Sequence, residues 1–150
     1  MKKKIIFLIL FLFLQNCGYS PILSGYKDQK INFNIVEIKG NDDLNKIIKI
    51  KMKKFSSNPN SKTINVKITT NLIKNILSKN KKGEVTSYSL FTYVQFEIID
   101  PIKPKIFTFQ ENTKTIKIDN EFELKRYENT IKTNFVIKKI EELIFNLSTN

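Results

Sequence analysis

From Thr86 to Ile98 the chain sets Thr86, Tyr88, Leu90, Thr92, Val94, Phe96 and Ile98 at every second position. Successive side chains of a strand point to opposite faces, so this run fixes a long strand with one side turned to a core. Such a strand needs a sheet around it and another layer over its apolar side.

The neighbouring segments supply both. Asp100-Pro101-Ile102-Lys103-Pro104 closes the strand, because two prolines remove ladder donors and fix the backbone. Ile106 to Ile118 reads as the next strand, antiparallel to the first, with Phe107 and Phe109 on one face; a change of apolar phase before Ile116 predicts a bulge or bend at Asn112 to Lys114. Upstream, Ile64, Val66 and Ile68 alternate as a strand. Leu72, Ile73, Ile76 and Leu77 fit either a helical turn or a continuation of that strand through a bulge, and Lys79-Asn80-Lys81-Lys82-Gly83 forms an exposed basic turn. Ile31, Phe33 and Ile35 alternate before Val36 and Ile38 switch phase ahead of Gly40, which predicts a first strand with an irregularity near its middle.

Two segments carry helical periodicity. Asn41 and Asp42 offer N-cap chemistry to a helix in which Leu44, Ile47, Ile48, Met52 and Phe55 recur at spacings of three and four, and Ser56 to Lys62, with Pro59, stops it. From Glu121 to Leu147, Val136, Ile140, Leu143, Ile144 and Leu147 share one face, whereas Leu124, Tyr127, Ile131 and Phe135 fall on nearly the opposite side. Either this helix is kinked near Thr133, or one of its faces meets something other than its own sheet.

The element order β-α-β-β-β-α is α+β logic. It predicts a two-layer sandwich with a mainly antiparallel four-stranded sheet and two helices on one face. At 150 residues and 41% hydrophobic composition the chain suits one domain with a single core, expected over 31–150.

Charge is unevenly placed along the chain. Of 26 basic residues three lie in the first four positions, leaving 23 against 14 acidic residues beyond them. Between Leu44 and Lys82 there are eleven lysines and no Asp or Glu. That asymmetry predicts one cationic surface for an anionic partner such as phosphorylated lipid, nucleic acid or an acidic protein patch. The alternative is that lysine serves here only as a solubilising residue, and the lysines near the first helix's C-terminus also oppose its dipole.

The N-terminus carries an address. Lys2, Lys3 and Lys4 precede an unbroken apolar run from Ile5 to Leu14, which as a helix would span about 15 Å, roughly half of a bilayer's hydrocarbon core. Residues 1–16 therefore read as a removable export signal. Leu14-Gln15-Asn16-Cys17-Gly18 resembles a lipobox in Leu14 and Cys17, although Gln15 and Asn16 stand where small residues are usual. Cys17 is thus expected to take a diacylglyceryl group and, with its further acyl chain, to anchor the protein. Residues 17–30, with Pro21 and two glycines, suit a tether between lipid and domain. An ordinary secretory signal with a free Cys17 is the plainer alternative. Gly18, where Asp resembles an inner-membrane retention cue, favours the outer membrane.

Cys17-Gly18-Tyr19-Ser20-Pro21-Ile22, together with the element order and the strand end marked by Tyr93, Phe96, Ile98 and Asp100, resembles the LPS-assembly lipoproteins of the LptE type over essentially the whole mature chain. The departures are Pro101 to Pro104 in place of a glycine-containing turn and a near absence of Arg. The resemblance implies a partner of the large LPS-assembly β-barrel of the LptD type, lying as a plug in its lumen and helping lipopolysaccharide reach the cell surface. Lys79, Lys81 and Lys82 are the candidates for contact with lipid A phosphates, each ammonium acting as a point charge.

Enzyme chemistry is not expected. A single cysteine allows no internal disulfide, the chain has no histidine, and it carries no P-loop, GxGxxG, GxSxG or zinc-ligand spacing, so no cofactor or metal is anticipated. Asp42-Asp43 and Glu141-Glu142 are paired carboxylates, but the first pair sits where a helix N-terminus favours negative charge and the second on a helix face. Lysines interleaved with Tyr88 and Tyr93 superficially suit single-stranded nucleic acid, a partner from which an export signal would remove the protein. The rival readings are a lipoprotein for some other anionic lipid or polymer and a secreted hydrolase.

Overall fold

The structure, a computed structural model, describes residues 31–55 and 62–149. The export signal, Cys17 and the 17–30 tether lie outside the described residues, as does the Pro59 segment expected to stop the first helix.

The elements are β1 (Ile31–Lys39), α1 (Asp42–Phe55), β2 (Lys62–Lys79), β3 (Val85–Ile98), β4 (Lys105–Ile116) and α2 (Glu121–Ser148). They form one four-stranded sheet in the order β1-β2-β3-β4. β1 pairs parallel with β2, and the other two pairings are antiparallel. The architecture is the expected α+β arrangement in the expected order, with a sheet that is mixed but mostly antiparallel.

β1 changes register between Ile35 and Glu37, so Val36 is the extra residue behind the phase switch. It pairs with β2 only as far as Thr69, which leaves the second half of β2 without a strand on that side among the described residues. The chain turns at Gly40, whose φ is +104°, onto the N-cap of α1. A Cβ at Gly40 would lie 1.9 Å from the carbonyl oxygen of Thr70, so the turn rests directly on β2. Asn41 Oδ1 accepts from Leu44 N at 3.1 Å and caps α1, Asp42 and Asp43 fill the first turn, and Lys53 and Lys54 the last. β2 begins beside Ile31, so α1 carries the chain back to the end where β1 started.

The ambiguous stretch after Ile68 is strand. β2 continues to Lys79 and shifts register only near Ser78. Ser78 Oγ lies 2.6 Å from both Thr86 Oγ1 and Ser87 Oγ, which ties the irregularity to β3.

The expected bulge at Asn112 to Lys114 is absent. β4 keeps one continuous register with β3 from Lys105 to Ile116. Ile116 falls out of phase with Phe107 and Phe109 because it lies on the opposite, uncovered face, where it is largely exposed. The sequence pattern therefore marked a second apolar surface and not a break in the backbone.

Leu44, Ile48 and Met52 of α1 pack on Val66 and Ile68 of β2 and on Val94, Phe96 and Ile98 of β3. Phe135, Val136, Ile140, Leu143 and Ile144 of α2 complete the core, and Phe96 meets Phe109 edge to face at 6.1 Å. Each such side chain contributes about 1.5–3 kcal/mol through removal from water. α2 runs from Glu121 to Ser148 as one helix, without the interruption considered at Thr133. Among the described residues its second apolar face meets no layer other than its own sheet: Phe135 is buried in the core, Ile131 lies beside Glu111 and Thr113 of β4, and Tyr127 is exposed. No described helix is long and apolar enough to cross a membrane.

Candidate functional site

The Lys79, Lys81 and Lys82 side chains stand at the tip of the β2–β3 hairpin, all exposed. Strand physics puts them there: the alternating pattern carries β2 and β3 well past the half covered by α1, and the turn needs Gly83, whose φ is +81°. Asn80 organises the turn. Its Oδ1 accepts from Lys82 N at 2.9 Å and Glu84 N at 3.0 Å, while its Nδ2 donates to Glu84 Oε2 at 2.6 Å. Glu84, the nearest acid, is thereby engaged with Asn80 instead of with the lysines. No salt bridge among the described residues ties down Lys79, Lys81 or Lys82.

Lys117 joins the base of the tip, its backbone N–H donating to Thr86 O at 3.0 Å. Its ammonium lies 2.9 Å from Asp119 Oδ1, and this hydrogen bond raises the lysine above its ordinary pKa, so it stays cationic. Beneath the tip on the helix side, Lys74 Nζ is 4.2 Å from the Tyr88 ring centroid and 2.6 Å from Glu128 Oε1. Lys74 thus braces α2 against the extended hairpin. The arrangement can present three positive charges on a rigid turn to an anionic surface. Among the described residues no group of three metal-ligating side chains is brought together.

The acid-free stretch does not form the one cationic surface expected of it. Lys46, Lys49, Lys53 and Lys54 lie along α1, which runs away from the hairpin tip, so topology sends the charge to two separate regions. Lys67 pairs in register with Glu37 on one side and Glu97 on the other, and Lys74 is spent on Glu128. The paired carboxylates have structural partners: Asp43 Oδ2 is 2.6 Å from Lys132 Nζ, and Glu142 Oε2 is 2.9 Å from Lys139 Nζ. Lys132 is only 5% exposed and was not singled out by the sequence; its position between the apolar residues Ile131 and Phe135 was the available signal.

The sheet face opposite the helices has no covering layer among the described residues. Ile73, Phe91, Tyr93, Ile106 and Ile116 share it with Asn71, Gln95, Gln110, Asn112 and Lys114. Tyr93 Oη donates to Gln95 Oε1 at 2.7 Å, and Ser89 hydrogen-bonds Asn112, so its polar groups are partly satisfied among themselves.

No protein-family model and no curated protein sequence matches the chain. Solved structures do. Rare lipoprotein B from Shewanella oneidensis superposes with a TM-score of 0.52 at 14% identity, over 77% of this chain and 99% of that one. Lipoprotein B from Nitrosomonas europaea superposes with a TM-score of 0.51 at 13% identity, over 79% of this chain and 85% of that one. At such identities the likeness establishes a shared fold. That fold is one seen in lipoproteins, and it agrees with the LptE-type resemblance in its element order.

Proposed function

We propose that this chain is a non-enzymatic outer-membrane lipoprotein that plugs and supports the LPS-translocation β-barrel and helps lipopolysaccharide insert at the cell surface. In this reading the chain is cleaved before Cys17, acylated there, tethered by residues 17–30 on the periplasmic side, and folded over 31–150. The carrying observation is the fold, shared with rare lipoprotein B along nearly the whole length of that protein.

Two features of the molecule support the reading. The uncovered sheet face mixes amides, hydroxyls and a few apolar side chains, a composition suited to the polar interior of a large barrel. The molecule is also long. The eighteen residues of β2 carry the chain about 55 Å from the end where the tether joins to the lysine tip. A barrel's apolar band is about 25 Å tall, so a domain standing in the lumen and anchored at the periplasmic leaflet can bring Lys79, Lys81 and Lys82 to the opposite leaflet, where lipid A phosphates lie.

The decisive experiment is capture of the affinity-tagged, acylated protein from detergent-solubilised outer membranes, followed by mass spectrometry of the partners and of the N-terminal peptide. Stoichiometric recovery of a large β-barrel protein with lipopolysaccharide is expected. Recovery of an acylated protein without any barrel would overturn the plug and leave a lipoprotein of another kind.

A further inference from the structure

The end of the molecule opposite the hairpin tip carries a second cationic group, which the proposal above does not use. There the start of β2, the end of β3, the start of β4 and the last turn of α2 meet around a cavity of about 450 Å³. Ile64, Ile98 and Leu147 line its floor, and Lys62, Lys103 and Lys105 stand at its rim. Asp100 is the one acid among the described lining residues. Its Oδ1 accepts from Ile102 N at 2.8 Å and Lys103 N at 3.1 Å, and these two backbone bonds hold its carboxyl below the usual range, with Lys62 and Lys105 adding to the effect. That carboxylate is built into the turn, and the rim keeps three cations against one acid.

The turn itself presents an apolar side chain outward. Ile102 is 93% exposed, between Pro101 and Pro104 and directly beside Lys103. With φ fixed at both prolines and two amides held by Asp100, this exposure is a rigid property of the turn. A preorganised isoleucine on the turn that carries Lys103, next to a cavity rimmed by Lys62 and Lys105, has the chemistry of a membrane interface: a greasy point to enter it and ammonium groups to meet its phosphates.

We propose that this end is a membrane-docking surface, on which Ile102 enters the headgroup region of a bilayer and Lys62, Lys103 and Lys105 rest against the phosphates of anionic phospholipids. Charge complementarity is one support and chain connectivity the other. Ile31 pairs with Lys62, so the fourteen residues from Cys17 to Lys30 join the domain at this same end. An acyl anchor on Cys17 would hold the surface at high effective concentration against the leaflet, where a basic patch gains electrostatic attraction to anionic headgroups. The inference rests on the lipoprotein reading for the position of that anchor, and it describes the tethered protein before it stands in the barrel lumen, whose wall parts this end from the headgroups.

The chain contains no tryptophan, so a single substitution supplies a clean optical probe. Ile102→Trp, in the full processed protein, is mixed with vesicles of phosphatidylcholine alone or with phosphatidylglycerol added, each containing lipids brominated along the acyl chain. Phe122→Trp is the control, because Phe122 is 76% exposed at the distal end, on the first turn of α2. Quenching and a blue-shifted emission are expected at position 102 with phosphatidylglycerol and not at position 122. Each of Lys62→Glu, Lys103→Glu and Lys105→Glu should lower the ratio of docked to undocked protein at least about fivefold. A probe at 102 that is quenched no more than the control, or is quenched equally in all three lysine variants, would overturn the docking surface. The mass of the N-terminal peptide reports separately on the anchor. Acylated protein with an unquenched probe sinks this inference alone, unacylated protein with a quenched probe sustains it against the anchor reading, and unacylated protein with an unquenched probe sinks both.

Discussion

The hydroxyl of Thr70 joins three segments. It accepts from Asn41 N at 2.9 Å and donates to Asn45 Oδ1 at 2.7 Å, so one side chain of β2 holds the β1–α1 turn and the first turn of α1. Thr70→Val keeps the volume and removes both bonds, leaving the buried Asn45 amide without this donor; a loss of about 1–3 kcal/mol in urea unfolding is expected. Gly40→Ala should cost at least about 1–3 kcal/mol, because it forces an L-residue to a positive φ and drives its Cβ into the Thr70 carbonyl. The Asp43–Lys132 pair is asymmetric in a way that can be measured. Asp43 is largely exposed and Lys132 buried, so Lys132→Met leaves a carboxylate that water can solvate, whereas Asp43→Ala strands a buried ammonium. Urea unfolding should show Asp43→Ala to be the more destabilising of the two by about 1–2 kcal/mol. The hydrogen bond from Lys132 holds Asp43 below its ordinary value of 3.8. A carboxyl lowered by folding stabilises above its unfolded value and loses that contribution as pH falls through the folded one. The acid limb of stability below about pH 4 should therefore be shallower in Lys132→Met than in the parent.

At the scale of elements, α2 is held at its start by Asn120, whose Oδ1 accepts from Phe122 N at 3.0 Å and Glu123 N at 3.1 Å. Asn120→Ala should cost about 1 kcal/mol, read by thermal or urea unfolding. All six elements were legible from periodicity and turn chemistry, even the irregularity at Val36, because burial on one face imposes a two-residue repeat and helix packing a three-to-four repeat. Ile73 and Leu77 escaped a clear reading for a physical reason. They belong to the part of β2 that α1 does not cover, where both faces carry apolar side chains and the alternation that marks a half-buried strand is lost. Ile116 misled for the same reason. Of the sites, the Lys79 to Lys82 tip was visible as a local cluster before Gly83, whereas Lys62, Lys103 and Lys105 are brought together only by strand register, which no window along the chain displays.

For the whole molecule, the two ends differ in what they can meet. The tip lysines make few internal contacts, so Lys79→Glu, Lys81→Glu and Lys82→Glu combined should leave unfolding within about 0.5 kcal/mol of the parent. In the proposed role the same triple variant should weaken capture of lipopolysaccharide, and high salt should weaken the parent's capture in the same direction. A variant that folds normally and still retains lipopolysaccharide and barrel as the parent does would remove the tip from the mechanism.

β1 has nine residues and β2 eighteen, so beyond Thr69 no described strand pairs with the backbone amides and carbonyls along that edge of β2. Asn71, Lys74 and Asn75 and the irregularity near Ser78 discourage a foreign strand from zipping on, but they do not close the seam. A protein with such a seam is poorly suited to waiting free at high concentration. Its escort and prompt delivery to a permanent neighbour would matter to the cell as much as the stability of its core.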